Sequence, residues 1–351
     1  MNPQIVVFTI ADLRDWLIDN KDNGISEYVI DPCRAFAWIN NPCALDADPA
    51  LVVVYDENHR PIGYTGAFAE DCPEGNIQGR IFWGSTEWLE PVYRGKGIAA
   101  SMMHTIKEAV GYDNYYASDS SETSVRLDMK QGSRVQYFQR IRYQLSSKES
   151  FKSRCMSFYT ACSNIKSLNK IKRKNSFTNQ YITCVDGETY GFIKSHADND
   201  LFLRKQEMLN WMLHYPFMKS VGEDGQSEKD LCEFGSSVSH YSIEAVKVSL
   251  GSDLIGVYIV SQTHKTRTLR YLYYEEEYKD NVFASVVANL LKKGTQEIRF
   301  FSIPLHQYMV NHSIMRLNKK SIYNQVAFTT PNGVVYDNTL SLQGGDGDMF
   351  C

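Results

Sequence analysis

The chain has 351 residues, of which 43% are hydrophobic, 22% are charged and 13% are aromatic. This composition excludes a disordered or fibrous protein, and the length leads us to expect about two domains, each with a buried core. The net charge of −4 excludes a surface that is basic overall, so we expect neither a nucleic-acid nor a membrane partner.

The cysteines and the N-terminus both predict a cytoplasmic protein. Eight cysteines are spread along the chain, and none form the close pairs of a zinc site, so we expect reduced thiols. The first residues lack the basic flank and the apolar run of a signal peptide. No stretch approaches the roughly 20 apolar residues of a membrane span.

The first half of the chain alternates short strands with helices. Residues 5–8 predict a strand, and residues 12–20 carry apolar side chains at helical spacing. Residues 51–55 and 62–68 flank a polar turn and predict an antiparallel hairpin. The next predicted elements are a strand at 81–89, a glycine turn at 94–97, a helix at 98–110 and a strand at 115–118. Asp119 and Glu122 then form a capping box that predicts a helix to residue 130.

Composition along the chain predicts where the domains divide. Residues 146–180 are rich in serine, lysine and asparagine, with a basic run at 170–174, and we interpret them as a solvated linker. The predicted domains are therefore residues 1–145 and residues 181–342. Residues 343–351, in which glycines and aspartates follow Gln343, predict a mobile tail.

The two halves repeat one order of elements, which predicts a tandem pair of related domains. Trp38 precedes Pro42 and the first hairpin, and Trp211 precedes Pro216 and a second hairpin. The glycine turn of the first copy corresponds to residues 279–284, which contain no glycine. We therefore expect close approach of the backbone to a ligand in the first copy only.

Residues 94–99, Arg-Gly-Lys-Gly-Ile-Ala, join a strand to a helix. A helix N-terminus presents unpaired N–H groups and the positive end of the helix dipole, and glycines let an anion come close. Arg94 and Lys96 add positive charge. The segment predicts a site for a phosphate-bearing ligand such as a pyrophosphate, and the alternative is a glycine turn with two solvated basic side chains.

This segment resembles the acyl-CoA-binding motif of the GNAT N-acetyltransferase superfamily, Gln/Arg-x-x-Gly-x-Gly/Ala. Arg94, Gly97 and Ala99 stand at the three fixed positions, and Pro91 and Tyr93 fit the lead-in. The resemblance covers roughly residues 1–145, and the second half joins it only through the repeat, as a degenerate copy. The resemblance implies acetyl-CoA as cosubstrate, with binding residues Leu89, Arg94, Gly95, Lys96, Gly97, Ile98, Ala99 and Ser124.

The resemblance also implies a fold and a reaction. The fold is α/β, with two GNAT-like domains that each have a mixed, mostly antiparallel sheet flanked by helices. The fourth and fifth strands splay apart to admit the pantetheine arm. The reaction moves an acetyl group to a primary amine of a small acceptor by direct attack, and backbone N–H near Leu89 would polarise the thioester carbonyl.

The acid and the base are less well defined by the resemblance. From Ser124 to Ser133 the sequence follows the family pattern Ser-x-x-Leu-Tyr-x-Lys-x-Gly-Phe, but Asp128 replaces the tyrosine that often serves as general acid. An ionised aspartate cannot donate a proton. Glu87 is the first candidate for the general base and Glu90 is the second. The alternatives for a hydroxyl acid are Tyr115, Tyr116 and Tyr137.

Several alternatives remain open at this point. The histidines form no ligand spacing with cysteines or acids, so we expect no catalytic metal. A non-catalytic acyl-CoA-binding protein would also explain the glycine turn. An aminoacyl transferase of the cell-wall peptide type would explain two copies, although such enzymes usually lack the CoA turn. The net charge weakly favours a cationic acceptor, and the acceptor itself and the oligomeric state stay open.

Overall fold

The computed structural model describes residues 3–19, 30–145, 166, 177–220, 237–238, 240–314, 321–330, 337 and 339–347. The first half contains, in chain order, β1 (Gln4–Thr9), α1 (Ile10–Asp19), α2 (Pro32–Ile39), β2 (Pro49–Tyr55), β3 (Pro61–Cys72), β4 (Gly79–Leu89), a 3₁₀ turn (Pro91–Tyr93), α3 (Ile98–Val110), a 3₁₀ turn (Tyr112–Asn114), β5 (Tyr115–Ser118), α4 (Glu122–Lys130) and β6 (Arg134–Gln144).

The second half repeats this order. It contains β7 (Thr178–Ile182), α5 (Gly187–Ser195), α6 (Gln206–His214), the short strands β8 (Lys219–Ser220) and β9 (Ser237–Val238), β10 (Tyr241–Leu250), β11 (Asp253–Thr263), β12 (Thr266–Tyr274), a 3₁₀ turn (Glu276–Tyr278), α7 (Lys279–Leu290), β13 (Glu297–Phe300), α8 (Ile303–Asn311) and β14 (Ser321–Thr330). The repeat that the sequence predicts is therefore present in the fold.

The two halves share one sheet, and they exchange their last strands. Within the described residues the strand order is β1-β2-β3-β4-β5-β14-β6-β13-β12-β11-β10-β7. β14 from the second half pairs antiparallel with β5 and, over ten positions, with β6. β6 in turn pairs antiparallel with β13 of the second half. Each half therefore completes the sheet of the other.

The predicted fold class is confirmed. Helices flank a sheet that is mostly antiparallel, with parallel pairing between β4 and β5 and between β12 and β13. The domain boundaries stay a prediction, because the sheet runs from one half into the other. β7 begins at Thr178, inside the predicted linker, and the basic run at 170–174 lies outside the described residues.

The two tryptophans that mark the repeat are buried in a core that both halves share. Trp211 Nε1 donates to the carbonyl oxygen of Ala37 in α2 at 2.8 Å. Trp38 packs on β3 where Gly66 leaves room, since an added Cβ there would lie 2.5 Å from the indole ring. The helices α2 and α6 therefore join the halves on this side of the sheet.

Two local features differ from the sequence prediction. The N-cap of α4 is Ser121, whose Oγ accepts from the backbone N–H of Ser124 at 3.2 Å, so Asp119 is not the capping residue. Residues 343–347 pack between the halves rather than forming an exposed tail. Asp346 is fully buried there, and Gly344 is required because its backbone lies against that of Leu269. Residues 348–351 lie outside the described residues.

No helix among the described residues combines the length and the apolar character needed to cross a bilayer.

Candidate active site

The glycine turn before α3 is open on its outer side. Gly95 and Gly97 have φ angles of 76° and 83°, in the left-handed region that favours glycine. No atom lies within 4 Å of a Cβ built on either residue. Arg94 Nε donates to the carbonyl oxygen of Leu89 at 2.8 Å and holds the turn against the end of β4. The N-cap Gly97 supplies no side-chain bond to the first N–H groups of α3, so these groups are available to an anion.

The second half has no such turn. Tyr274 at the end of β12 pairs with Gly256, as Leu89 pairs with Gly63 in the first half. In the second half the 3₁₀ turn that follows runs directly into α7 at Lys279, whose φ is −51°. Helical backbone therefore occupies the position of the glycines, and of the two equivalent positions in the described chain only the one in the first half has an open helix start.

The strands β4 and β5 separate beside this turn. They pair only at Phe82 with Tyr115 and at Trp83 with Tyr116. Farther along, β4 has a bulge at Thr86, whose φ of 49° is unusual for a β-branched residue. From Gly84 to Leu89 the edge of β4 therefore faces a cleft instead of a neighbouring strand, as the resemblance implied.

The cleft has a volume of about 300 Å³ and lies between β4, β5, α3 and α4. Three predicted site residues line it, namely Glu87, Ser124 and Asp128. The other lining residues are Thr65, Gly84, Ser85, Thr86, Met103, Tyr115, Ala117, Ser118, Asp119, Ser120 and Ser121. Gln131 Nε2 donates to the carbonyl oxygen of Ala100 at 2.8 Å and ties the end of α4 to the first turn of α3. The helices α3 and α4 line the cleft, and the glycine turn lies at the start of α3.

Glu87 has the surroundings of a general base. Burial raises the pKa of its carboxyl group, and the nearby Asp128 carboxylate acts in the same direction. The Ser124 hydroxyl donates to Glu87 Oε2 at 2.6 Å and opposes part of that rise. A raised pKa brings a carboxylate closer to the basicity that proton transfer near neutral pH requires.

Asp128 forms a buried ion pair that the sequence did not reveal. Its Oδ1 lies 2.6 Å from Lys107 Nζ, and both side chains are only 1% exposed. Burial raises the pKa of Asp128, and the Lys107 ammonium opposes that rise. Lys107 also donates to the Oγ of Ser133, the residue at the phenylalanine position of the family pattern. The one available signal was a lysine on the apolar face of the predicted helix 98–110.

The remaining candidates lie in different places. Glu90 is outside the cleft, where its Oε2 pairs with Arg60 Nη2 at 2.8 Å, so the structure does not bring it to Glu87. Tyr115 lines the cleft, and its hydroxyl packs where Gly84 has no side chain. Tyr116 packs on Trp83 in the core, and Tyr137 is 55% exposed on β6.

The second half fills the equivalent cleft with apolar side chains. By strand register, Leu272 occupies the position of Glu87. Ser302 caps α8 as Ser121 caps α4, which places Leu305 at the position of Ser124 and Met309 at that of Asp128. All three apolar residues belong to the buried core of the second half. The polar cleft therefore occurs once among the described residues.

The described residues contain no group of three or more His, Cys, Asp or Glu side chains placed to hold a metal ion.

Comparisons with known proteins place the fold. No protein-family model matches the sequence, and no curated protein sequence matches it. A tandem GNAT protein from the clavulanic acid biosynthesis pathway is similar in structure, with 11% identity, a TM-score of 0.50, and coverage of 95% of this chain and 100% of that one. A conserved protein from Enterococcus faecalis V583, described as a "Probable N-Acyltransferase", has 10% identity and a TM-score of 0.52 over 95% of this chain and 73% of that one.

The fold is therefore GNAT-like, since the structures that match at a TM-score of 0.50 or above include a tandem GNAT protein and a probable N-acyltransferase. At 10–11% identity these similarities define the architecture and leave the chemistry to the residues of the cleft.

Proposed function

We propose that this protein is an acetyl-CoA-dependent N-acyltransferase whose active site is the cleft of the first half. The observation that carries the proposal is the asymmetry between the halves. Among the residues that the structure describes, only the first half combines an open glycine turn at a helix start with a polar cleft, which contains Glu87 and Ser124. The pyrophosphate of CoA binds the N–H groups of Gly97 to Ala99, and Arg94 and Lys96 supply positive charge.

The open edge of β4 receives the pantetheine arm, and its backbone N–H groups near Leu89 polarise the thioester carbonyl. The amine nitrogen of the acceptor attacks that carbonyl carbon, the carbon–sulfur bond breaks, and CoA leaves as the thiolate. Glu87 takes the proton that the amine loses, directly or through one water molecule. The ion pair of Asp128 with Lys107 positions α4 against α3 beneath this site.

One observation favours a second candidate, a non-catalytic acyl-CoA-binding protein. Asp128 stands where the family often has its tyrosine acid, and its carboxylate is paired with a buried ammonium. This position therefore offers no hydroxyl proton to a leaving thiolate. Under the first proposal the thiolate leaves without help from residue 128.

The test uses the full chain with acetyl-CoA and a panel of small amines, with free thiol as the readout. The proposed enzyme releases thiol in proportion to an added amine, and the Glu87→Gln variant retains CoA binding but loses this activity. Binding of CoA without thiol release across the panel supports the second candidate. Absence of CoA binding overturns both.

A further inference from the structure

A second cavity, of about 450 Å³, lies between the two halves. Four arginines from four different elements or loops line it: Arg34, Arg140, Arg270 and Arg299. We call this space the arginine cavity. Its size is within the range of small-molecule sites, about 300–1,000 Å³.

The charge of the arginine cavity is opposite to that of the whole chain. Among its described lining residues, Asp119 is the only carboxylate, against four guanidinium groups. Asp119 pairs with Arg140 at 2.5 Å, and Arg299 pairs with Glu297, which lies outside the lining. Four guanidinium groups and one carboxylate in the described lining favour an anionic guest, because charge–charge interactions strengthen where water is excluded.

Two of the arginines are buried and held in defined orientations. Arg34 is 8% exposed, donates to Ser85 Oγ at 2.8 Å and stacks on the ring of Phe217. Arg270 is 6% exposed and donates to Ser261 Oγ and to the carbonyl oxygen of Gly344. A guanidinium that is already fixed loses little further freedom when it binds a carboxylate or a phosphate.

The arginine cavity adjoins the cleft that contains Glu87. Ser118 and Asp119 line both spaces. Ser85, which accepts from Arg34, also lines the cleft, and it precedes Glu87 by two residues on β4. One small molecule can therefore place an amine beside Glu87 and a second group in the arginine cavity.

We infer that the acceptor carries an oxyanion group, a carboxylate or a phosphate, that binds the arginine cavity while its amine reaches Glu87. This inference rests on the proposed function for the role of the amine. It reverses the expectation of a cationic acceptor that the net charge suggested, because a whole-chain sum does not report four arginines gathered at one interface.

The test measures binding first, so that it does not depend on turnover. The full chain, saturated with CoA, is titrated by calorimetry with matched pairs of amines that differ in the oxyanion. The pairs are β-alanine with its amide, γ-aminobutyrate with its amide, and O-phosphoethanolamine with ethanolamine. We expect the better class of oxyanion-bearing amine to bind about tenfold or more tightly than its partner without the oxyanion. The class that shows the larger gain in affinity, carboxylate or phosphate, identifies the oxyanion group of the acceptor.

Arg140→Gln and Arg299→Gln test the site itself, since these two side chains are partly exposed and tolerate replacement better than the buried pair. Each variant should lose most of the difference in affinity between the two members of a pair. Each should keep the affinity for the amine that lacks the oxyanion. Arg134→Gln, at the exposed start of the same strand as Arg140, is the matched control and should retain the preference.

The outcomes separate this inference from the proposed function. If no probe with an oxyanion binds more tightly than its partner without one, the inference is overturned. This holds even if thiol release with amines that lack an oxyanion supports the acyltransferase. If the anionic probes bind through Arg140 and Arg299 but no amine gives thiol release, the anion site stands and the acyltransferase fails.

Discussion

The hydroxyl group of Ser124 donates a hydrogen bond of 2.6 Å to Oε2 of Glu87, which links the first turn of α4 to the open edge of β4. The bond is available because Ser121, three residues earlier, caps the helix and orients its first turn. Two residues that are 37 positions apart in the sequence, one on a strand and one on a helix, are thus held together by this bond.

This bond predicts the pH dependence of the reaction. Glu87 acts as a base only when it is ionised, so kcat/KM should rise with pH through its pKa. Ser124 lowers that pKa, so Ser124→Ala should shift the acidic limb of the profile to higher pH. Glu87→Gln should lose roughly 10²–10⁴-fold in kcat with unchanged CoA affinity. An unshifted limb in Ser124→Ala would remove Glu87 from the role of base.

The glycine turn predicts a selective loss of CoA binding. Gly97→Glu places a carboxylate and a Cβ at the proposed pyrophosphate site, and calorimetry should detect no CoA binding. The control is Gly251→Glu in the turn between β10 and β11, where φ is also positive and the space around the Cβ is also open. Both variants should lose about 1–2 kcal/mol of stability from the left-handed backbone. Equal CoA affinity in the two variants would refute the site.

The buried pair of Lys107 and Asp128 predicts non-additive effects on stability. Removing one partner leaves the other charge buried and unpaired, which costs about 3–5 kcal/mol. We expect this loss for Lys107→Met and for Asp128→Leu in urea unfolding, and a much smaller loss for the double variant. The second half already has apolar Met309 at the position of Asp128. Additive losses in the double variant would show that the two charges do not depend on each other.

The buried segment at residues 343–347 predicts a loss of stability at high pH. Burial raises the pKa of Asp346 from its ordinary 3.8 to about 8. The folded state therefore retains a proton that the unfolded state releases, and this stabilisation is complete below about pH 4 and disappears as pH rises through 8. Asp346→Asn should flatten the decrease in the thermal midpoint between pH 5 and 9. Burial also raises the pKa of Asp200, to about 7, so part of the decrease in the thermal midpoint should remain in the Asp346→Asn variant. If the thermal midpoint decreases equally with pH in the unchanged chain and in Asp346→Asn, this account is wrong.

The exchanged strand predicts that the rest of the chain does not fold without β14. A chain that ends before β14 lacks ten paired positions along β6 and the buried side chains of Val326 and Phe328. We expect this truncated chain to aggregate or to lose cooperative thermal unfolding, because two strand edges become exposed. A peptide of residues 321–351 added during refolding should restore soluble protein. A truncated monomer with an unchanged thermal midpoint would disprove the dependence.

Features that depend on neighbouring residues could be predicted from the sequence. The apolar run of β2, the polar turn between β2 and β3 and the apolar face of α3 predicted those elements, and the glycines at 95 and 97 predicted the open turn. Glu87 could be named as a candidate because it lies just before the end of a predicted strand, close to the glycine turn.

Features that depend on distant parts of the chain could not be predicted. Nothing near Asp128 in the sequence indicates Lys107 as its partner, and nothing near β5 indicates β14. The predicted tail failed for the same reason, since small glycines are typical both of mobile ends and of backbone packed tightly against a neighbouring strand. The arginine cavity draws its four cations from positions 34, 140, 270 and 299, so no sequence window contains it.

The position of β14 also sets an order of events during synthesis. Thr329 of β14 donates to the carbonyl oxygen of Ala117, beside the cleft, so a strand late in the sequence completes the surroundings of the proposed site, whose other residues are synthesised long before. At about 5–20 residues per second, the roughly 200 residues between Asp128 and β14 take about 10–40 seconds to appear. During that interval β5 and β6 have no strand between them, so we expect the nascent chain to need protection from aggregation. The proposed active site is therefore complete only after β14 has been synthesised.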